Sequence, residues 1–579
     1  MSAETTTNLQ APDGPDHPDQ SDRPGQPTSI ADTRWSVLRG DMLGGLVAAV
    51  VALPLALAFG VQSGLGAEAG VYGAIGAGIV AALFGGTATQ VTGPTGPMTV
   101  VSATVVGLGV AALGDVDSAL GVILLTFLVA GLFQILFGLI GVGKYVRYFP
   151  YPVVSGFMSG VGLIIVVLQV WPFLGLDSPK STIEVITRIG EPLSQINFAA
   201  VGIGSLTVAV FFLLPRFTKV VPAALGALLV GTLIAWLLEL DVPMIGDIPQ
   251  GLPALQVGRM LDVDLALIGL VIEYGLILAV LGSIDSLLTS VIADNITRTK
   301  HDSGRELVGQ GLGNITAALI GGIPGAGATK GTVVNIDAGG RTRRSGALHG
   351  VLLLVMLLGA GSLVSVVPLA VLAGILIPIG FAIVDGKGLR HLRDVPRADA
   401  AVMVLVLVIT VFGDLIVAVG VGVVLACVLF MKRIADVSEA RSLVHAVDAD
   451  RPDVDGQRVP GQPGIYVTRV YGPLFFGTAS SFRELVEALA PDARAVVIDL
   501  TRVDSIDQSG LYALEDVVLD LARRDIDVLL AGVDSRSLDM LRRVDLVGRL
   551  IPESDVRDDV DAAIDQATTS MAQTPAPAS

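Results

Sequence analysis

Asp285 and Thr289 stand four residues apart in the stretch "GSIDSLLT", inside a segment from about 265 to 293 that is otherwise largely apolar. Four residues is one helical turn, so the carboxylate and the hydroxyl share a face and offer the oxygen ligands that suit a small hard cation. A lone carboxylate at the depth of a bilayer costs roughly 2.5 to 3.5 kcal/mol or more, which makes a functional role the default reading. A protonated, hydrogen-bonded structural aspartate is the plainer alternative. Glu273, twelve residues earlier, lies nearer the outer surface and is a candidate entrance residue.

Two further stretches carry chemistry through their backbone. "GPTGPM" from Gly93 and "GIPGAGAT" from Gly322 each break one helix and begin another. Irregular backbone at bilayer depth is tolerated only against protein or a water-filled cavity. Each new helix presents free N–H groups and about half a positive charge, a natural seat for a small anion. Two such ends facing one another would hold a monovalent oxyanion with no arginine clamp. The alternative is that the glycines only permit close helix packing.

Lys330 follows the second break directly. The order Thr329, Lys330, Gly331, Thr332 lacks the G-K-[ST] of a phosphate loop, so that reading is rejected. Three placements stay open: facing the anion, pairing with Asp285, or snorkelling to an aqueous vestibule. A carboxylate beside an anion seat is a coupling device. At an effective dielectric near 20, two like charges ~5 Å apart repel by about 3 kcal/mol, roughly two powers of ten in affinity. A cation at Asp285 lifts that penalty, so cation and anion bind and cross together.

The elements that must hold these residues are membrane segments. The 579-residue chain is 52% hydrophobic and 16% charged, the composition of a polytopic membrane protein. Fourteen apolar segments recur between about 39 and 433, two of them too short for a full crossing of roughly 20 residues. Sixteen Lys and Arg fall in loops after even-numbered segments, and three, Lys180, Arg188 and Arg259, after odd-numbered ones. Both termini are therefore expected in the cytoplasm and the protein in the plasma (inner) membrane. Lys330 falls in no loop.

A duplication supports the count. "VALPLAL" is followed some 40 residues on by "GPTGPMTVV", as "GSIDSLLT" is by "GAGATKGTVV", and the copies are about 231 to 233 residues apart. Seven segments per copy make the halves inverted, and paired Gly/Pro-interrupted segments point to a transport site. The expected fold is thus an all-α polytopic domain with a 7+7 inverted repeat, followed by a soluble α/β unit. "GIYVTRVYG", "RAVVIDL" and "DVLLAG" read as its strands, and "SFRELVEALA", "LYALEDVVLDLARR" and "SLDMLRRV" as its helices.

The expected boundaries are a disordered polar tail (residues 1–34), the transport domain (35–434), a linker (435–461), the α/β domain (462–567) and a short disordered tail (568–579). Residues 434–579 hold 26 acids against 14 arginines, and residues 1–34 hold 6 acids against 2 bases. The acidity of the −17 chain therefore sits in the soluble ends, a poor fit to nucleic-acid binding. One cysteine, Cys427, and five scattered histidines without ligand spacing argue against a disulfide framework or a zinc site. No nucleophile–base pair or metal cluster supports an enzyme, and no cofactor is expected beyond a coupling sodium ion.

The run Gly282 to Gly346, with "GPTGPMTVV", closely resembles the SulP/SLC26 anion transporters and, within them, the sodium-dependent bicarbonate transporters of the BicA type; the likeness covers nearly all of residues 35 to 567. The resemblance implies a UraA/SLC26-like core moving against a gate as an elevator, usually in a homodimer, with segments 1, 3, 8 and 10 forming the site. It implies sodium ligands at Asp285 and Thr289 with oxygens of Gly327, Ala328 and Thr329. The anion would lie between Thr95, Gly96, Pro97 and Met98 on one side and Ala328, Thr329 and Lys330 on the other. Relatives of the sulfate-permease type often carry glutamate where this chain has Asp285, so the aspartate favours sodium over protons. Lys330 departs from the bicarbonate members, and the alternative it implies is a lysine charge in place of the sodium, which makes the site a uniport or exchanger.

The C-terminal unit resembles a STAS domain, with "DLTRVDSIDQSG" matching the strand-to-helix loop of anti-sigma-factor antagonists. In those proteins the serine aligned with Ser509 is phosphorylated, so Ser509 is a possible regulatory site; Asp507 or Ser509 as a helix cap is the simpler role. The expected function is sodium-dependent bicarbonate uptake. The alternatives are a proton-coupled or exchanging sulfate or dicarboxylate transporter, and an anion channel.

Overall fold

The computed structural model describes residues 30–573, apart from 149, 180, 189, 192–194, 219–220, 247–250, 414, 447–463, 488 and 490–492. Most of the expected N-terminal tail, Lys180 and Lys219 of the charge census, most of the expected linker and residues 574–579 lie outside the described residues. The chain forms two compact units, Met1–Gly422 and Val423–Ser579.

Leaving aside helical turns of three to seven residues in the connections, fourteen α-helices run from Ile30 to Arg441 among the described residues. The first seven are α1 (Ile30–Ser63), α2 (Ala67–Phe84), α3 (Gly96–Leu113), α4 (Val116–Ile140), α5 (Tyr151–Leu168), α6 (Phe198–Phe217) and α7 (Ala223–Leu237). The second seven are α8 (Ile268–Thr297), α9 (Ser303–Leu319), α10 (Thr329–Asp337), α11 (Arg343–Val364), α12 (Leu369–Ile383), α13 (Arg397–Phe412) and α14 (Leu415–Arg441). The expected count therefore stands. At nine residues α10 is too short for a full crossing. α3 reaches 18 residues and is long enough to cross, whereas α7 and α12, at 15 residues each, are the short apolar helices.

Two two-residue strands precede the broken segments: β1 (Thr92–Gly93) before α3 and β2 (Ala326–Gly327) before α10. They pair antiparallel, Thr92 with Gly327 and Gly93 with Ala326. This pairing satisfies backbone groups that a bilayer would leave bare.

The helices sort into two packed groups. One holds α1–α4 with α8–α11, built on the contacts of α9 with α4 and α2 and of α11 with α1 and α2. The other holds α5–α7 with α12 and α13. α9 and α4 cross at Gly311 and Gly131, where a Cβ on either glycine would stand 2.4 or 2.6 Å from the other's carbonyl oxygen. Small residues thus do let membrane helices touch backbone to backbone here, away from the broken segments.

The second unit is a five-stranded sheet of β3 (Leu443–Ala446), β4 (Ile465–Tyr471), β5 (Ala495–Arg502), β6 (Asp527–Ala531) and β7 (Val556–Arg557), in that spatial order. β3 runs antiparallel to β4, and the other neighbours are parallel. Its helices are α15 (Ala479–Glu487), α16 (Gln508–Arg523), α17 (Ser535–Arg543) and α18 (Val560–Gln573). The three expected strands and three expected helices are all present.

The expected linker from 435 needs correction at its start. α14 runs to Arg441, and β3 then covers the open edge of β4, which would otherwise leave a row of unpaired backbone groups. The hydroxyls of Ser438 and Ser442 clamp the junction by bonding the carbonyl and the N–H of Tyr471. The expected tail from 568 is also helical as far as Gln573, because Ala567 and Met571 pack against the β4–β6 face.

Candidate functional site

α3 begins after Thr95, which is extended and leaves the helix start without a side-chain cap; Pro97 occupies the first turn and contributes no donor. α10 begins after Ala328 with the same lack of a cap. Both helix starts therefore keep free N–H groups, and both border one cavity of about 730 Å³. Its wall includes Thr95, Gly96, Pro97, Ala328, Thr329, Lys330 and Asp285. The β1–β2 pairing brings the two ends together, and Gly325 allows it: a Cβ there would stand 2.5 Å from the carbonyl oxygen of Gly93.

α8 stitches the two starts together. Asp285 accepts a 2.8 Å hydrogen bond from the Thr95 hydroxyl. One turn on, the buried Thr289 hydroxyl donates to the carbonyl of Gly327 at 2.8 Å and lies 2.7 Å from the Thr329 hydroxyl. Ser286 accepts from the N–H of Gly327 at 3.0 Å. The oxygens gathered are a carboxylate, three threonine hydroxyls and a backbone carbonyl. All are hard donors, so the set fits a small hard cation.

Lys330 borders the same cavity, is exposed to it, and makes no hydrogen bond or ion pair among the described residues. Of its three open placements, pairing with Asp285 is therefore not the one adopted. Two expected residues fall elsewhere. Met98 is fully buried, and its sulfur and terminal methyl face Gly282 of α8, not the cavity. The first turn of α3 rotates it away from its neighbours. Glu273 is exposed near the start of α8, twelve residues or about 18 Å of helix from Asp285, and does not border the cavity. In the second unit Ser509 is exposed in the first turn of α16, and Asp507 is the cap, accepting from the N–H of Gly510 at 2.8 Å.

The site rests on a polar network absent from the expected residues. Glu306 of α9, 1% exposed, accepts four N–H bonds: from the backbone of Gly86 and Thr87 and from the side-chain amides of Gln90 and Gln310. Gln310 donates onward to Thr92 of β1, and Gln90 accepts from Ser290 of α8. Asn314 holds both backbone groups of Gly325 just before β2. The signal for this set is spacing: Glu306, Gln310 and Asn314 recur every fourth residue and so form one polar stripe on α9.

Residues 38–446 match the sulfate permease family, and residues 457–563 match the STAS domain. The chain belongs to the sulfate permease family. This permease is 41% identical to bicarbonate transporter BicA of Picosynechococcus over 89% of its own length and 92% of the relative's. It is 41% identical to the BicA of Synechocystis over 92% and 95%. A solved structure of the transmembrane domain of a cyanobacterial bicarbonate transporter BicA superimposes with a TM-score of 0.62 at 48% identity, covering 66% of this chain and 97% of that one. The permease is thus an anion transporter with a C-terminal STAS domain, and not an enzyme.

Proposed function

We propose that this permease takes up bicarbonate together with sodium by alternating access. One observation carries the reading: Asp285 and Thr289, a turn apart on α8, bond to opposite broken segments, one to Thr95 and the other to Gly327 and Thr329. A cation held by those oxygens lies beside the anion seat and offsets the repulsion that Asp285 exerts on an anion there. Bicarbonate, with a single charge, is matched by one sodium, and the two BicA relatives support that choice.

In this reading α1–α4 and α8–α11 move as a core against α5–α7, α12 and α13, in an elevator motion within a homodimer. Both termini and the STAS domain face the cytoplasm of a cell whose plasma membrane holds the protein. The experiment is uptake of labelled bicarbonate into proteoliposomes with sodium or with choline. Equal uptake in the two removes the sodium coupling, and no uptake removes the substrate.

A second reading, a proton-coupled or exchanging sulfate or dicarboxylate transporter, draws on Lys330. Its ammonium adds a positive charge to the cavity wall that a divalent anion would use more than a monovalent one. Competition of unlabelled sulfate and dicarboxylates against bicarbonate decides between them.

A further inference from the structure

His349 of α11 borders the transport cavity, and its side chain is fully buried. Neither ring nitrogen has a hydrogen-bond partner among the described residues. A buried polar atom without a partner costs about 1 to 3 kcal/mol, so an imidazole orphaned at both nitrogens calls for a ligand. The two charged groups on the same cavity wall, Asp285 and Lys330, do not bond to it.

The ring lies against Gly78 of α2. A Cβ placed on Gly78 would stand 3.2 Å from His349 Nδ1 and 3.2 Å from the carbonyl oxygen of Thr92, so nitrogen and carbonyl flank one small gap. Neither nitrogen bonds that carbonyl, and a neutral imidazole keeps one lone-pair nitrogen in either tautomer. An acceptor in an anion site disfavours chloride or nitrate, which have no proton to give. An oxyanion that carries its own proton answers it.

We propose that His349 is a specificity-determining residue of the anion site, where its imidazole accepts the hydroxyl of a protonated oxyanion. This rests on the bicarbonate reading above and is independent of which cation is coupled.

The test uses the full chain in proteoliposomes, with half-saturating bicarbonate and inhibition by chloride and nitrate measured for wild type, His349→Leu and His349→Gln. Loss of one ligand hydrogen bond should raise half-saturating bicarbonate about tenfold in His349→Leu, while inhibition by chloride and nitrate holds or strengthens. His349→Gln, which keeps a donor and an acceptor, should keep the wild-type order of anions. Thermal unfolding of each purified variant separates recognition from packing. Equal weakening for all three anions, or a lowered unfolding temperature with an unchanged order of anions, overturns the proposal. Bicarbonate uptake that does not respond to His349→Leu overturns it alone, whereas a wild type that takes up no bicarbonate overturns the function reading first and this inference with it.

Discussion

Asp285 accepts a 2.8 Å hydrogen bond from Thr95, a residue 190 positions earlier in the chain and at the threshold of the other helix start. The contact sets a negative charge against the proposed anion seat. In Asp285→Asn an oxygen remains for Thr95 while the charge is gone. At about 5 Å and a dielectric near 20 the charge is worth about 3 kcal/mol against an anion, so sodium-free anion affinity should rise by roughly two powers of ten. Sodium should then no longer stimulate uptake. Titrating the anion against purified wild type and variant, with and without sodium, checks both parts. A variant that still responds to sodium sinks the coupling role.

Lys330 supplies the opposite charge on the same wall. Coulomb energy scales with ligand charge, so Lys330→Met should cost a divalent anion about twice, in log affinity, what it costs a monovalent one. Sodium stimulation should increase in the variant, because the cation becomes the main positive charge near the seat. Sulfate and bicarbonate competition curves, measured side by side at fixed ionic strength, read both effects. Equal loss for the two anions would place the ammonium away from the ligand.

How far the site is legible in the sequence depends on the kind of signal each residue leaves. Glycine and proline mark the two helix breaks, and their spacing from "VALPLAL" and "GSIDSLLT" reveals the duplication. Asp285 is conspicuous because an acid in an apolar segment is expensive. Met98 misleads because its position beside Pro97 says nothing of the turn about the helix axis that points it at Gly282. Glu273 misleads because a helix of 30 residues carries it well away from the cavity. The partner of Glu306, Gln90, lies 216 residues away, so the stripe on α9 is visible in sequence while its purpose is not. In the second unit the central strands are long and apolar enough to read, whereas β3 and β7 are short edge strands defined only by their neighbours.

Glu306 should prove a positioning residue for that site. Its carboxylate takes four N–H bonds and gives none, and two of the donors, Gly86 and Thr87, are backbone. Glu306→Gln replaces one oxygen with an NH₂ that confronts two of these donors. Two lost acceptor contacts cost about 2 to 6 kcal/mol together. The unfolding temperature in detergent should drop. Glu306→Asp keeps the charge on a shorter arm and should lie between wild type and Glu306→Gln. A Gln variant as stable as wild type would mean the network relaxes around the loss.

Asp507, not Ser509, starts α16, because its carboxylate accepts from the N–H of Gly510 while Ser509 stands exposed beside it. Asp507→Ala should therefore cost about 1 kcal/mol at that helix start, within the usual range for a lost cap. Ser509→Ala should cost nothing there. About 1 kcal/mol of local stability corresponds to roughly fivefold faster amide exchange, so hydrogen exchange at Gly510 and Leu511 in the full chain is the measurement. Phosphate on Ser509 would sit in the first turn, where the helix dipole tolerates negative charge, and Ser509→Asp should leave the exchange rates near those of wild type. Faster exchange in Ser509→Asp than in Asp507→Ala would mean that the two negative charges compete for one helix start, and that phosphorylation would loosen the helix it marks.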